Sequence, residues 1–284
     1  MVRPLTAPAS GERPGPAIGR AFYLISALLF IVSAGVTIYW CGFSSDGGSG
    51  SGSMSGGMAM PGGWTMSMAW MRMPGQTWLA SAVSFMGMWV VMMVAMMLPS
   101  LVPMLSTYRR AAAVADPARL GALTALAGAG YFFVWTVFGA AAYPLGVAAA
   151  AAAMRWPALA RSAPAATGVV LLLAGCFQLT AWKARQLGRC RAAPVGERSF
   201  APSVRGAWRH GLRLGVVCGL CCSGFMTILL VAGVMDLGAM AVVAAAITAE
   251  RLAPRPDRVA RVLGLAVIAV GACALARALF LHAS

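Results

Sequence analysis

The stretch "MWVVMMVAMMLPS", residues 88–100, carries five methionines and a tryptophan in thirteen positions before Ser100 follows a proline. Two readings compete for it. Methionine is an adaptable filler of helical interiors, and thioether sulfur is also a soft-metal ligand that favours Cu(I) or Ag(I). The rest of the chain says what kind of helix this is, and then what its sulfurs can meet.

The 284 residues are 60% hydrophobic and only 10% charged, too apolar for a soluble domain of that length. A bilayer crossing takes about 20 apolar residues. Seven runs read as spans, at about 21–41, 78–100, 121–143, 166–182, 214–234, 237–252 and 262–281. The expected fold is all-α, a polytopic integral membrane protein with about seven transmembrane helices. The fifth and sixth runs are so close that they form a tight hairpin, turning near Gly233–Gly238 with Asp236 at the bend.

A net charge of +15 suggests nucleic acid in a soluble protein. Here its distribution says otherwise. With the N-terminus inside, 18 of the 22 Lys and Arg fall in cytoplasmic segments, leaving Arg72, Arg155, Arg161 and Arg277 elsewhere. That is the positive-inside pattern, which sets orientation: N-terminus inside, C-terminus outside. The first run ends in the bulky "IYWC" (38–41), unlike a cleavage site, and reads as a retained anchor. One Lys against 21 Arg, with abundant Ala and Gly, matches a high-GC bacterium and so the cytoplasmic (inner) membrane.

Residues 1–19 read as a disordered cytoplasmic N-terminus and 20–41 as the first transmembrane helix. Residues 42–77 form a Met/Gly/Ser-rich extracytoplasmic loop. Residues 78–282 make a six-helix membrane domain containing an Arg-rich cytoplasmic loop at 183–213. Membrane lipid is the first implied partner.

The loop holds Met54, Met58, Met60, Met66, Met68, Met71 and Met73. A flexible Gly/Ser segment has no core to fill, so packing explains these sulfurs poorly. Met-x-Met and Met-x-x-Met spacings let neighbouring thioethers converge on one soft ion. The alternative is that "WTMSMAWM" (64–71) lies on the membrane surface, anchored by Trp64 and Trp70. In the second span, a helix turning about 100° per residue puts Met88, Met92 and Met96 on one stripe and Met86, Met93 and Met97 on another. One stripe could line a ligand path while the other packs or meets lipid. Pro99, followed by Pro103, removes helical hydrogen bonds and predicts a break.

"GVVCGLCCSGFM", residues 215–226, brings thiols into the same problem. On a helix Cys218, Cys221, Cys222 and Met226 share one face. Counted from Arg213 at about 1.5 Å per residue, the cysteines sit roughly 8–14 Å deep, level with Met88 and Met92 of the oppositely running second span. A buried ion must be nearly neutralised, and Cu(I) with one thiolate and one or two thioethers is neutral. Zinc would want two thiolates and His. The histidines are His210, expected in the cytoplasmic loop, and His282 at the C-terminus, so zinc and haem are poorly served. The competing reading is small-residue helix packing through Gly215, Gly219 and Gly224. Cys41, Cys176 and Cys273 read as lone packing or interfacial residues.

Glu250 precedes Arg251 and reads either as a solvated pair with it at the inner interface or as a metal-exit or proton-coupled group. Gln178, Thr180 and Lys183 read as capping or interhelical groups at the end of the fourth span. No Gly-x-x-x-x-Gly-Lys-Ser/Thr stretch exists, so no nucleotide is expected.

Three segments, "MWVVMMVAMMLPSLVPM" (88–104), "CFQLTAWKARQLGRCRAAP" (176–194) and "CGLCCSGFM…GVMDLGAMAVVAAAITAERL" (218–252), resemble the bacterial predicted metal-binding integral membrane proteins of domain of unknown function 2182. The resemblance implies a polytopic helical protein with a metal site. It points to the second-span methionines with Pro99, to Cys218, Cys221, Cys222 and Met226, and to Glu250. Two departures stand out. Gln186 occupies the first position of a cysteine pair in the fourth-span motif, leaving Cys190, and Ser223 replaces a tryptophan.

The leading functional reading is a non-enzymatic, membrane-embedded copper(I)-binding protein for transport, or for delivery to a membrane or periplasmic copper enzyme. A copper chaperone or copper enzyme is then its partner. A non-catalytic scaffold subunit with Met and Cys as packing is the second reading, and a thiol oxidoreductase using Cys218 and Cys221 the third.

Overall fold

The computed structural model describes residues 16–42, 57–61, 63–72, 75–112, 117–191 and 203–283. Met54, Met73, residues 1–15 and the side chains of Met68 and His282 lie outside the described residues. The elements are α1 (Pro16–Gly42), β1 (Gly57–Met60), β2 (Trp64–Ser67), α2 (Trp78–Ala111), α3 (Pro117–Arg155), α4 (Pro157–Gln178), α5 (Ala181–Arg191), α6 (Val204–Ala232), α7 (Leu237–Leu252) and α8 (Pro256–Ala283). The fold is all-α apart from the short β1–β2 ribbon. Six helices (α1, α2, α3, α4, α6 and α8) are long and apolar enough to cross a membrane. The predicted sixth span (237–252), which is α7, has 16 residues, fewer than the roughly 20 of a full crossing.

Helix starts follow local chemistry. The hydroxyls of Thr77 and Ser203 accept from the backbone N–H groups of Ala80 and Gly206, and the Asp236 carboxylate accepts from Ala239 at 2.8 Å. Gly233, at φ 124°, takes the left-handed turn that ends α6 and lets α7 fold back beside it. The break expected at Pro99 is absent. Helix α2 runs unbroken through Pro99 and Pro103, while the hydroxyls of Ser100, Ser106 and Thr107 donate to the carbonyls of Met97 and Pro103.

Two helix pairs close on glycine. Side by side and parallel, α3 and α6 meet where Gly211 lies on Ala127, Gly215 on Tyr131 and Val134, and Gly219 on Phe138. The antiparallel pair α4–α8 sets Gly168 against Leu275, Gly175 against Gly264 and Ile268, and Gly271 against Leu171. In both, a Cβ on the glycine would overlap the facing helix, so small residues permit the approach. Helix α2 packs among α1, α3 and α7, and α7 also lies against α6. The interior of the bundle is where the sulfur residues sit.

At the other end of α3 and α4, part of the 42–77 segment is ordered. Strands β1 and β2 pair antiparallel, Met58 opposite Met66 and Met60 opposite Trp64. Because side chains alternate along a strand, these four share one face. Met60 and Met66 are buried against Ala150, Ala153 and Ala160, and Trp64 Nε1 donates to the Ala160 carbonyl at 2.7 Å. Met58 stays exposed and Met71 is half-buried. The expected flexible loop is thus replaced, over residues 57–70, by a hairpin seated on the helices.

The Arg-rich 183–213 segment also differs from the expected loop. Its ends are helical, in α5 and the first turns of α6. His210 lies buried on α6 with its ring stacked on Tyr108, 4.8 Å between centroids.

Candidate metal centre

Both methionine stripes of α2 face inward. Met88, Met92, Met93, Met96 and Met97 are all buried, and Met86 is half-buried. They belong to one continuous apolar cluster with Cys218 and Cys222, and Met226 packs against it. No stripe is left to meet lipid. A face-resolved reading comes from Ser100, whose hydroxyl is reached by Arg251 Nη1 at 3.3 Å. At about 100° per residue, Met93, Met96 and Met97 lie within about 60° of Ser100, while Met92 and Met88 lie about 80° and 120° away. By this register, Met93, Met96 and Met97 share the face that Arg251 reaches. Of the expected stripe of Met88, Met92 and Met96, only Met96 does.

The thiols divide into two pairs. Cys218 and Cys222, one helical turn apart, bring their sulfurs to 3.6 Å. Tyr131 of α3 holds Cys218 from the other side, with Oη and Sγ 2.9 Å apart. Cys221 does not share this face. It turns toward α5 and packs with Cys190, Leu187 and Ala260. The Cys190 thiol donates to the Val217 carbonyl at 3.4 Å and packs beside Cys221. The neighbouring Cys221 sulfur first, and burial second, hold the Cys190 thiol far above the usual thiol range.

Arg251 joins the two pairs. Its Nη2 donates to Cys222 Sγ at 3.3 Å and lies 3.9 Å from Cys190 Sγ. Glu250 is not paired with it in the solvated arrangement that their adjacency suggested. Its carboxylate is buried and forms an ion pair with Lys183 at 2.8 Å, and Lys183 Nζ also donates to the Cys221 carbonyl at 2.7 Å. The reason is rotation: successive helical residues point about 100° apart, so Glu250 faces α5 while Arg251 faces the thiols and α2. Glu250 Oε1 and Arg251 Nε remain without a hydrogen-bond partner.

Sequence reasoning missed Cys190, Arg251, Lys183, Ser100 and Tyr131. The usable signals were the pair of charged residues inside a hydrophobic hairpin and a cysteine within the 176–194 motif. Among the described residues, no three His, Cys, Asp or Glu side chains converge to hold a metal ion. What this leaves is paired thiols with thioethers nearby. Such a set lacks the four ligands and imidazoles that zinc favours, and it suits a soft monovalent ion that accepts few sulfur donors.

Fold and centre together define an all-α protein of the membrane-spanning type whose interior gathers soft sulfur donors around buried charge. The chain belongs to the PpoB2 family, described as a copper chaperone, whose family model matches residues 86–274. Membership carries copper handling in general and implies a non-catalytic role. No curated protein and no solved structure matches the chain.

Proposed function

We propose that this protein is a membrane-embedded copper(I) chaperone that collects the ion at its methionine hairpin and passes it through buried sulfur to a copper enzyme assembled in or beside the membrane. The single observation that carries this reading is the pairing of Cys218 and Cys222, sulfurs 3.6 Å apart, inside the methionine-lined cluster of α2. Two thiols in an apolar interior bind Cu(I) in the low coordination number that the ion accepts. The matching family supports the metal.

The ligands in this reading are Cys218, Cys221, Cys222 and Met226 on α6, with Met88, Met92 and Met96 of α2 as relay positions and Met93 and Met97 added by their face. Of the expected external collector, Met58, Met68, Met71 and Met73 take that role, while Met60 and Met66 pack against the helices. Met58 is exposed and opposite Met66, which supports entry there. Glu250 takes a structural part through Lys183, and Pro99 positions Ser100. The three motif segments support the finer family reading, predicted metal-binding integral membrane proteins. The Arg-over-Lys, Ala- and Gly-rich composition supports a bacterial inner membrane, and the positive-inside pattern, with the short α7 as a seventh crossing, supports the N-terminus inside and the C-terminus outside.

Burial of Met60 and Met66 against alanines favours a packing role for those two, as the scaffold reading has it. Copper and silver binding to the purified full-length protein separates the readings. Replacing Cys218, Cys221 and Cys222 by serine lowers the Cu(I) stoichiometry to that of the external methionines if the thiols hold the ion, and leaves it unchanged if they only pack.

A further inference from the structure

Arg251 is buried, 6% exposed, and its guanidinium cannot shed its proton. The adjacent carboxylate is spent on Lys183, so that pair cancels and the Arg251 charge is left over. Its partners are the Ser100 hydroxyl and the sulfurs of Cys222 and Cys190. A buried charge without a counter-charge is strongly disfavoured. The sulfurs are therefore the groups that must supply one negative charge when the centre is filled.

We infer that Arg251 is the counter-ion of a two-thiolate copper(I) complex, and that the pairs Cys218/Cys222 and Cys190/Cys221 share it, so the centre holds one monovalent ion at a time. This rests on the copper reading above and goes further than it. Cu(I) with two thiolates carries one negative charge and is neutralised by one guanidinium. Zn(II) with two thiolates is already neutral, and the guanidinium would stay uncompensated beside it. The neutral one-thiolate arrangement suggested by the sequence fails on the same ground. Since one Arg251 nitrogen lies within 4 Å of a sulfur from each pair, the two stations are alternatives, not a double site.

Passage between them is a ligand exchange. Copper–sulfur bonds to Cys218 and Cys222 break as bonds to Cys221 and Cys190 form. Two protons move the opposite way, from the receiving thiols to the released thiolates. Copper stays Cu(I) and no electron moves.

The test uses full-length protein in detergent with Met54, Met58, Met60, Met66, Met68, Met71 and Met73 all changed to Leu, so that only the buried centre is counted. Cu(I), buffered by a chromophoric chelator without oxygen, and Zn(II) are titrated in parallel. One Cu(I) is expected in this parent, one in Cys218→Ser/Cys222→Ser, one in Cys190→Ser/Cys221→Ser and none in the fourfold variant. Arg251→Met should weaken Cu(I) by at least about tenfold and shift preference toward Zn(II), with Arg251→Lys recovering most of the loss. Two Cu(I) bound together in the parent, or Arg251→Met with unchanged affinity, overturns the shared counter-ion. If Arg251→Met does not fold, the stoichiometries of the Cys variants decide alone. Cu(I) binding in the parent that ignores all four thiols overturns the copper reading of the centre itself.

Discussion

Lys183 Nζ lies 2.8 Å from Glu250 Oε2, with both side chains sealed from solvent although they stand 67 positions apart in the chain. The contact ties α5 to α7, and the donation from Lys183 to the Cys221 carbonyl ties both to α6. The short α7 is thereby fixed against the thiol-bearing α6.

Removing one partner of this ion pair strands the other charge in an apolar interior. Lys183→Met or Glu250→Leu alone should destabilise by about 3–5 kcal/mol, and the two together by much less, because the stranded charge disappears. Thermal unfolding in detergent, arranged as a double-mutant cycle, reads the difference. Additive losses would mean that the pair does not interact.

The α3–α6 seam depends on absent side chains. A Cβ at Gly211 would overlap the Ala127 carbonyl, which is backbone and cannot swing away. Gly211→Ala should therefore push the helices apart, cost about 1–3 kcal/mol, and expose Cys218 by loosening its contact with Tyr131. Faster maleimide labelling of Cys218 checks this. The same change at Gly188, where a Cβ meets nothing within 4 Å, should leave labelling unaltered.

The hairpin is held to the helices by Trp64, whose indole donates to the Ala160 carbonyl. Trp64→Phe keeps the ring and loses the hydrogen bond, worth about 0.5–1.5 kcal/mol. Cleavage by trypsin at the exposed Arg72 should quicken, while cleavage near the inner ends of the spans stays constant.

Thiols must lose protons to bind metal, and thioethers have none to lose. Cu(I) affinity at the cysteine centre should rise with pH, and affinity at the methionine hairpin should not. Chelator competition at two pH values, on the variant with Met54, Met58, Met60, Met66, Met68, Met71 and Met73 all changed to Leu and on the variant lacking the four buried cysteines, separates the sites by this slope.

The helices were legible because a bilayer demands long apolar runs. Cys218 and Cys222 were legible as sharing a face because residues four apart on a helix lie one above the other. Cys221 was placed on their face because its angle allowed it, but α5 drew it to the other side, and a helical wheel carries no information on which neighbour arrives. Arg251 was counted with the charges that set topology, since composition cannot tell a solvated arginine from one turned into the core. Lys183 and Glu250 could not be matched across 67 residues without a contact map. The hairpin was in plain sight. Alternating Met58, Met60, Trp64 and Met66 around "PGG" (61–63) is a strand–turn–strand pattern, masked by the glycines and serines before it. Cys190 was discounted because Gln186 broke the motif pair, whereas its partner is Cys221 on another helix.

The most direct test of the account is anaerobic copper titration of the full-length protein lacking the methionines of residues 54–73, followed by X-ray absorption of the bound ion. The account predicts one Cu(I) coordinated by two sulfurs, lost when Cys190, Cys218, Cys221 and Cys222 are all serine. The same stoichiometry and the same sulfur shell in that variant would contradict it.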